Sequence, residues 1–235
     1  MDLPINDAAP RRQLSQEVAI YVRELIISGR VRRGEFLRID SIARAMQTSS
    51  TPVREGLLLL QIEGFVRLSP RRGFQVVGFS RQDVRDIFWA QAVLASELAA
   101  RATEAMPQSG ISELEHLLAA HRAAVSAADE PSFTRLAHMF HRAINLSAKS
   151  NRLAILLGTM TKQLPNRFYG MIEGQVKGSL HYHALILDAI RKRDAVTVRA
   201  VMHEHIVSGG EMLVHHLEAQ GIWSDESEDA ALLQE

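Results

Sequence analysis

The sequence predicts a mainly α-helical protein, in which an N-terminal winged helix-turn-helix precedes a C-terminal antiparallel six-helix bundle. Two observations predict this fold class. Apolar residues recur at helical spacing along almost all of the 235 residues. The period changes to two only between residues 65 and 77, which is typical of a short β-hairpin. A chain of this length is long enough for two domains.

The predicted domain boundaries follow from changes in pattern and composition. In chain order, we predict an arm at 1–12, a winged helix-turn-helix at 13–78, an all-helical domain at 79–220 and an acidic tail at 221–235. We expect the arm to be flexible and the tail to be disordered.

The elements of the first domain can be assigned from stop signals and periodicity. We predict a first helix from Leu14 to Gly29, a short second helix at 40–46, a polar turn at 47–50, a third helix from Thr51 to Gly64, and strands at 65–68 and 73–77. Pro52 fits the first turn of the third helix, because its missing N–H has no helical partner there.

The second domain shows helical patterns only. We predict six helices at about 80–106, 109–127, 130–148, 150–172, 175–193 and 194–219. Pro165 lies inside the fourth of these and should kink or divide it, because proline lacks a backbone N–H and clashes with the preceding turn.

The composition excludes several classes of protein. The chain has no cysteine, so a disulfide framework, a thiolate metal site and a cysteine nucleophile are excluded. No apolar run approaches the roughly 18 residues that a membrane span requires. The first residues lack the basic and apolar regions of a secretory signal. We therefore expect a cytoplasmic protein without membrane contact.

The net charge of zero conceals an asymmetry between the two domains. Residues 1–78 contain 12 arginines, no lysine and 8 acidic residues, whereas residues 79–235 contain 15 basic and 19 acidic residues. Opposite charges in two segments indicate two roles. The use of arginine alone in residues 1–78 favours nucleic-acid binding, because the planar guanidinium binds phosphate and guanine through two parallel hydrogen bonds.

Candidate DNA contacts lie where a helix-turn-helix would place them, at the N-terminal end of its third helix. They are Thr48, Ser49, Ser50, Thr51 and Arg54, and the hairpin tip adds Arg71, Arg72 and Gly73. Small hydroxyls donate to phosphates, and guanidiniums on a wing can enter a narrow minor groove. Each feature alone also fits a capped helix or solvated arginines, but their order within 65 residues favours DNA binding.

The segment Ser49-Ser-Thr-Pro-Val-Arg-Glu-Gly-Leu57, followed by Glu63-Gly64-Phe65-Val66 and Arg72-Gly73, carries a family resemblance. Residues 13–78 resemble the winged-helix domain of the GntR family of bacterial transcription regulators, whose corresponding run is S-R-T-P-V-R-E-A-L. Ser50 stands where the family usually has arginine, which removes one expected DNA contact. The resemblance implies a dimeric regulator, here a repressor, that binds a pseudo-palindromic operator in double-stranded DNA.

Three of the ten histidines lie on the apolar faces of separate predicted helices: His141, His183 and His205. A single inward histidine is most often a hydrogen-bonded core residue, but imidazoles from several helices of a bundle can together form a metal site. We expect four other histidines to lie at the surface: His116, His121, His215 and His216.

Motifs around these histidines carry a second resemblance. Phe140-His141-Arg142-Ala143-Ile144, His183-Ala-Leu-Ile186 and Met202-His-Glu-His205 are similar to segments of the FCD effector domain of FadR-type GntR regulators, which residues 80–218 resemble. Six helices rather than seven is typical of the VanR-like branch. In metal-binding members, one aspartate and three histidines hold a divalent ion, often zinc or nickel.

The resemblance implies a Zn or Ni site at His141, His183 and His205 that lacks the family's aspartate, because Ala137 stands at that position. Three neutral imidazoles can still hold zinc and leave positions open for water or a ligand. His138 could replace the missing carboxylate. Alternatively, the domain binds its effector directly, without a metal.

The candidate effector pocket comprises Gln91, Ala137 and His138. By resemblance, Gln91 stands where a pocket arginine is usual, and Ala95 replaces a glutamate. An amide donates and accepts hydrogen bonds but carries no charge. We therefore expect a small organic effector that is less acidic than sugar acids and dicarboxylates, or one held mainly by the metal.

Two other functions remain open. One is a constitutive DNA-binding dimer with a filled helical core and no effector. The other is a metal-dependent hydrolase that uses the three histidines, but it would need a general base beside the metal. The sequence contains no H-E-x-x-H motif, no glycine-rich phosphate loop and no serine nucleophile elbow. We predict a ligand-responsive DNA-binding regulator that is not an enzyme.

Overall fold

The computed structural model describes residues 9–174 and 176–223. They divide into two compact units, one comprising the chain up to Ser80 together with Gly221 and the residues after it, and the other comprising Arg81–Gln220. The predicted fold class is confirmed, because the described chain is mainly helical with one small sheet near its N-terminus. None of the described helices combines the length and apolarity needed to cross a bilayer.

The first unit contains three helices and a small sheet. The elements are α1 (Ala9–Ile27), β1 (Phe36–Leu37), α2 (Ile39–Ala45), α3 (Ser50–Ile62), β2 (Val66–Ser69) and β3 (Gly73–Val76). The flexible arm predicted at 1–12 is wrong for its last four residues, because α1 begins at Ala9. Pro10 is compatible with this start, since proline is tolerated in a first helical turn. Residues 1–8 lie outside the described chain.

The sheet has three antiparallel strands in the order β1-β3-β2. The hairpin pairs Val66 with Val76 and Ser69 with Gly73. Strand β1 was missed by the sequence analysis, because its two residues are too few to display an alternation. It pairs Phe36 with Gln75 and Leu37 with Phe74.

Helices α1 and α3 pack closely because Gly56 has no side chain. A Cβ at position 56 would lie 2.7 Å from Cγ1 of Val18 and 2.8 Å from the carbonyl oxygen of Ser15. An ion pair joins α1 to the C-terminal end of α3, in which Nε and Nη2 of Arg23 donate to Oε2 of Glu63, the residue after the helix, at 3.1 and 2.5 Å. These contacts hold α3 against α1.

The tail predicted from residue 221 is wrong for its first three residues. Trp223 is buried, and its indole Nε1 donates to the carbonyl oxygen of Phe79 at 2.6 Å. A buried indole N–H requires such a partner, and the sequence pattern gave no sign of it. Residues 224–235 lie outside the described chain.

The second unit contains seven described helices. They are α4 (Arg81–Ala105), α5 (Gln108–Ser126), α6 (Glu130–Ser147), α7 (Asn151–Thr161), α8 (Asn166–Gly174), α9 (Val176–Arg191) and α10 (Ala195–Ala219). The predicted fourth helix is divided into α7 and α8 at Pro165, as the chemistry of proline leads one to expect. The count of six holds only if α7 and α8 are taken as one.

Aspartates define the starts of two helices in this bundle. Asp129 accepts a hydrogen bond from the backbone N–H of Ser132 at 3.2 Å at the start of α6. Asp194 accepts one from the N–H of Thr197 at 2.9 Å at the start of α10. Such caps satisfy backbone donors that have no helical partner. They fix where the helices carrying His141 and His205 begin.

Candidate functional site

The N-terminal end of α3 presents the predicted DNA-contacting side chains to solvent. Ser49, Ser50, Thr51 and Arg54 are exposed, and Thr48 is half-buried. Ser49 is the N-cap residue in extended conformation, and its hydroxyl makes no capping bond. The helix N-terminus therefore offers backbone N–H groups and free hydroxyls on one surface, which is the arrangement that binds phosphate oxygens.

The turn between β2 and β3 presents the two wing arginines. Arg71 and Arg72 are exposed, and the turn is closed by a hydrogen bond from the N–H of Arg72 to the carbonyl oxygen of Ser69 at 3.1 Å. Gly73 has a φ of 91° and no atom within 4 Å of a Cβ built there. The backbone at this tip can consequently approach another molecule closely.

The side chain of Arg72 is supported by an aromatic ring that the sequence did not predict. The guanidinium carbon of Arg72 lies 6.0 Å from the ring centroid of Phe36 in β1, within the range of a cation–π contact. Phe36 is 37% exposed. Because β1 was not predicted, the sequence offered no way to place this ring beside the hairpin.

Three imidazoles from three helices converge inside the second unit. Nε2 of His183 in α9 lies 3.1 Å from Nε2 of His141 in α6. Nε2 of His205 in α10 lies 3.2 Å from the same atom of His141. All three ligand atoms lie within 4.8 Å of one another. The structure thus brings together the three histidines that the sequence singles out.

Burial keeps these imidazoles neutral. His183 and His205 are buried and His141 is half-buried. Desolvation lowers the pKa of His141 and His183 well below the usual value, and it lowers the pKa of His205 to about 4. At neutral pH each ring therefore carries one proton and one lone pair, which is the form that binds a metal ion.

The spacing of the nitrogens fits a small divalent cation. Zinc binds imidazole nitrogen at about 2.0–2.1 Å with tetrahedral geometry, which separates two ligand nitrogens by about 3.3 Å. The two separations at His141 are 3.1 and 3.2 Å. Imidazole nitrogens this close repel when each presents a lone pair, and a shared proton or a cation between them removes the repulsion. The residues present therefore fit a divalent ion such as Zn²⁺ or Ni²⁺.

Neither neighbour of this cluster on α6 adds a fourth ligand atom in the described structure. Ala137 is fully buried one turn before His141 and has no donor atom. His138 is exposed, and its ring stacks edge-on against Tyr169 with centroids 6.1 Å apart. It lines an open groove of 620 Å³, together with residues that include Arg135 and Arg142. His138 therefore lies in this groove, outside the group of ligand atoms.

Gln91 lies in the core of the second unit and is 2% exposed. Its amide nitrogen donates to the hydroxyl of Tyr169 at 2.9 Å. That hydroxyl can donate in turn to Oε1 of Gln91 at 3.3 Å or to the carbonyl oxygen of Thr161 at 3.2 Å. Burial raises the pKa of Tyr169, so the phenol stays protonated.

Tyr169 is a neighbour of the candidate effector pocket that the sequence did not predict. It contacts both Gln91 and His138, two members of the candidate effector pocket. It lies in α8, beyond the break at Pro165. The helical periodicity of α7 cannot be extended past this break to predict which side chains of α8 face the core. Its role could be found only from the packing of α8 against the bundle.

The expectation that His121 lies at the surface is wrong. His121 in α5 is 1% exposed, and its Nδ1 lies 3.4 Å from Nδ1 of His183. The signal was present in the sequence, because Leu114, Leu117 and Leu118 place position 121 on the apolar stripe of α5. The structure therefore adds a fourth imidazole behind the cluster.

Comparison with known families matches both units. The profile described as "Bacterial regulatory proteins, gntR family" matches residues 14–76, and the profile of the FCD domain matches residues 86–208. The FCD match alone covers more than half of the chain. It includes His121, His141, His183 and His205.

Curated relatives and solved structures agree with these matches. The chain is similar to the gluconate operon transcriptional repressor of Bacillus licheniformis, with 22% identity over 83% of each chain. It is also similar to the HTH-type transcriptional repressor RspR of Escherichia coli, with 25% identity over 84% of this chain and 87% of the relative. Among solved structures, E. coli McbR/YncC shares the fold with a TM-score of 0.61, 19% identity, and coverage of 86% and 98% of the two chains.

Proposed function

We infer the function of this chain from its family: it belongs to the gntR family of bacterial regulatory proteins, carries an FCD domain, and is a DNA-binding transcriptional regulator. The family consists of regulators rather than enzymes, and FCD domains typically bind small-molecule effectors. Beyond this, we propose which residues contact DNA, that the helical domain holds a metal ion, and how the regulator acts.

The proposed DNA-contacting surface consists of two parts of the first unit. Ser49, Ser50, Thr51 and Arg54 at the start of α3, with the half-buried Thr48 beside them, would contact the major groove and its phosphates. Arg71, Arg72 and Gly73 at the β2–β3 turn would contact the neighbouring backbone or minor groove. The exposure of these polar side chains on one helix end and one hairpin tip supports this assignment.

The proposed metal site consists of His141, His183 and His205. The observation that carries it is the approach of three neutral Nε2 atoms to 3.1 and 3.2 Å, a spacing that fits Zn²⁺ or Ni²⁺. A bound ion would supply a positive charge and open coordination positions for an effector oxygen or nitrogen. Because Ala137 replaces the family's aspartate, the site would carry one negative charge less, which strengthens its attraction for an anionic effector group.

The proposed effector pocket includes Gln91, the buried Ala137 and the exposed His138. Gln91 is engaged by Tyr169, so an effector that binds its amide must replace that hydrogen bond. This favours an uncharged hydrogen-bonding group at this end and a metal-binding group at the histidine end. We propose a small organic effector of that kind.

We propose that the regulator acts as a dimeric repressor on a pseudo-palindromic operator in the cytoplasm. In a symmetric dimer, two recognition helices bind half-sites whose spacing mirrors the protein's two-fold axis. An effector alters DNA affinity only to the extent that it binds one arrangement of the two heads better than another.

The test is metal analysis by plasma mass spectrometry on untagged protein purified without chelators. We expect about one zinc or nickel ion per chain, a loss of that ion in His183→Ala, and an unchanged content in the control His116→Ala, whose side chain is exposed on α5. Absence of metal after zinc is added back would overturn the metal site and leave the DNA-binding assignment standing.

A thermal-shift screen with small organic acids, run with and without the metal, tests the effector. A ligand that binds the folded state raises its melting temperature by mass action. A bundle that responds to no compound would instead support a constitutive DNA-binding dimer.

A further inference from the structure

His121 lies directly behind His183, on the side away from the cluster of Nε2 atoms. The Nε2 atom of His183 faces His141 at 3.1 Å, while its Nδ1 atom faces Nδ1 of His121 at 3.4 Å. The ring centroids of His121 and His183 are 5.3 Å apart. His183 is thus held between a candidate ligand position on one side and a second imidazole on the other.

The second ring nitrogen of His121 makes no hydrogen bond within the described part of the chain. Its Nε2 atom is buried and without a partner, in a side chain that is 1% exposed. Burying an unpaired polar nitrogen costs free energy. A leucine or phenylalanine would fill a similar volume without this cost, so packing alone does not account for an imidazole here. The atom of His121 that makes a polar contact is Nδ1.

The contact between the two Nδ1 atoms couples the tautomers of the two rings. A neutral imidazole carries a single proton, on either Nδ1 or Nε2. A hydrogen bond between them requires that one Nδ1 carries the proton and the other accepts it. If His183 donates from Nδ1, its Nε2 has a free lone pair and His121 carries its own proton on Nε2.

We propose that His121 is a positioning residue for metal binding: its Nδ1 accepts the Nδ1–H of His183 and thereby directs the Nε2 lone pair of His183 at the ion. This inference rests on the proposed metal site and deepens it. Hydrogen bonds from the second nitrogen of a ligand histidine fix its tautomer and ring orientation and increase its basicity. In this chain an imidazole would take the place of the carboxylate or carbonyl oxygen that often serves as acceptor.

The test compares the metal affinities of His121→Phe and His121→Asn in the full chain. Phenylalanine retains a ring of similar size but has no acceptor, whereas the asparagine amide oxygen can reach about the position of Nδ1. The control His116→Phe alters an exposed histidine of the same helix. Zn²⁺ and Co²⁺ affinities are measured by competition with a chromophoric chelator, and melting temperatures of the metal-free proteins verify folding.

We expect His121→Phe to bind both metals about 10–100-fold more weakly, His121→Asn to retain most of the affinity, and His116→Phe to match the wild type. A folded His121→Phe with unchanged affinity would overturn the proposal while the metal site stands. An equal loss in the Phe and Asn variants would also overturn it, because the acceptor would then not matter. Failure of the wild type to bind either metal would overturn the site itself.

A measurement on the unmodified protein gives a second, independent readout. In ¹⁵N NMR spectra of histidine-labelled, zinc-loaded protein, we expect Nδ1 of His183 to be protonated and Nδ1 of His121 to be unprotonated. A protonated Nδ1 on His121 in the zinc form would contradict the proposed direction of the hydrogen bond.

Discussion

Gly210 of α10 lies against Phe88 of α4 so closely that a Cβ at position 210 would be 2.7 Å from both Cβ and Cγ of the phenylalanine. Neither atom is the far end of a flexible side chain. The two longest helices of the second unit therefore approach each other through a position that has room only for hydrogen. His205, a candidate metal ligand, lies on the same helix little more than one turn earlier.

We predict that Gly210→Ala destabilises the protein, although alanine is the better helix former. The intrinsic helix propensity gains about 1 kcal/mol, but overpacking against Phe88 costs about 1–3 kcal/mol and displaces α10. The control Gly158→Ala lies in α7, where no atom lies within 4 Å of the new Cβ, and should be neutral or stabilising. Urea denaturation measures both, and a more stable Gly210→Ala would contradict the predicted clash.

Arg54→Ala should abolish specific operator binding without unfolding the protein. Its side chain is exposed on α3, so no buried contact is lost. The proposed bidentate contact with a base or phosphate would be removed. The operator is first selected from random-sequence duplexes with the wild-type protein. Fluorescence anisotropy then compares Arg54→Ala with Arg30→Ala, an exposed arginine outside α3. Equal operator affinity for Arg54→Ala and the wild type would refute the role of this residue.

The wing arginines should contribute mainly through phosphate charge. We expect Arg71→Ala and Arg72→Ala each to weaken binding to specific and random duplexes alike, and each to reduce the slope of log affinity against log salt concentration by about one. The measurement is a salt titration of duplex binding. If a variant lost affinity only for the selected operator, its arginine would contact bases instead.

Tyr169→Phe should destabilise the protein by about 1–3 kcal/mol, because it leaves the buried amide of Gln91 without its partner. Gln91→Leu in the Tyr169→Phe background should recover much of this loss, since no polar group then remains unpaired at position 91. A double-mutant cycle by chemical denaturation measures the coupling. Strictly additive effects would mean that the hydrogen bond contributes nothing to stability.

The exposed position of the proposed DNA-contacting residues was predictable because it is local. Ser49, Ser50, Thr51 and Arg54 follow one another within a single turn and helix start, so helical spacing alone places them at one exposed end. The faces of α6, α9 and α10 were predictable for the same reason. Periodicity put His141, His183 and His205 on apolar stripes before any packing was known.

Other features of the structure depend on contacts between segments far apart in the chain. Phe36 reaches Arg72 only through the pairing of β1 with β3. Trp223 is buried and donates to the carbonyl oxygen of Phe79, 144 residues earlier. Strand β1 is too short to produce a periodic pattern in the sequence. Trp223 is a single aromatic residue beside an acidic segment, so it belongs to no pattern either.

By itself, the sequence determined the class of the fold, the recognition helix and which sides of α6, α9 and α10 face inward, because these depend on residues within a few positions of one another. Only the tertiary structure decided that three of those inward histidines meet at 3.1 and 3.2 Å and that His121 lies behind one of them. Helical periodicity predicts that a side chain is buried. The rotation and axial shift of each helix, which are set by the packing of the whole core, determine what that side chain touches.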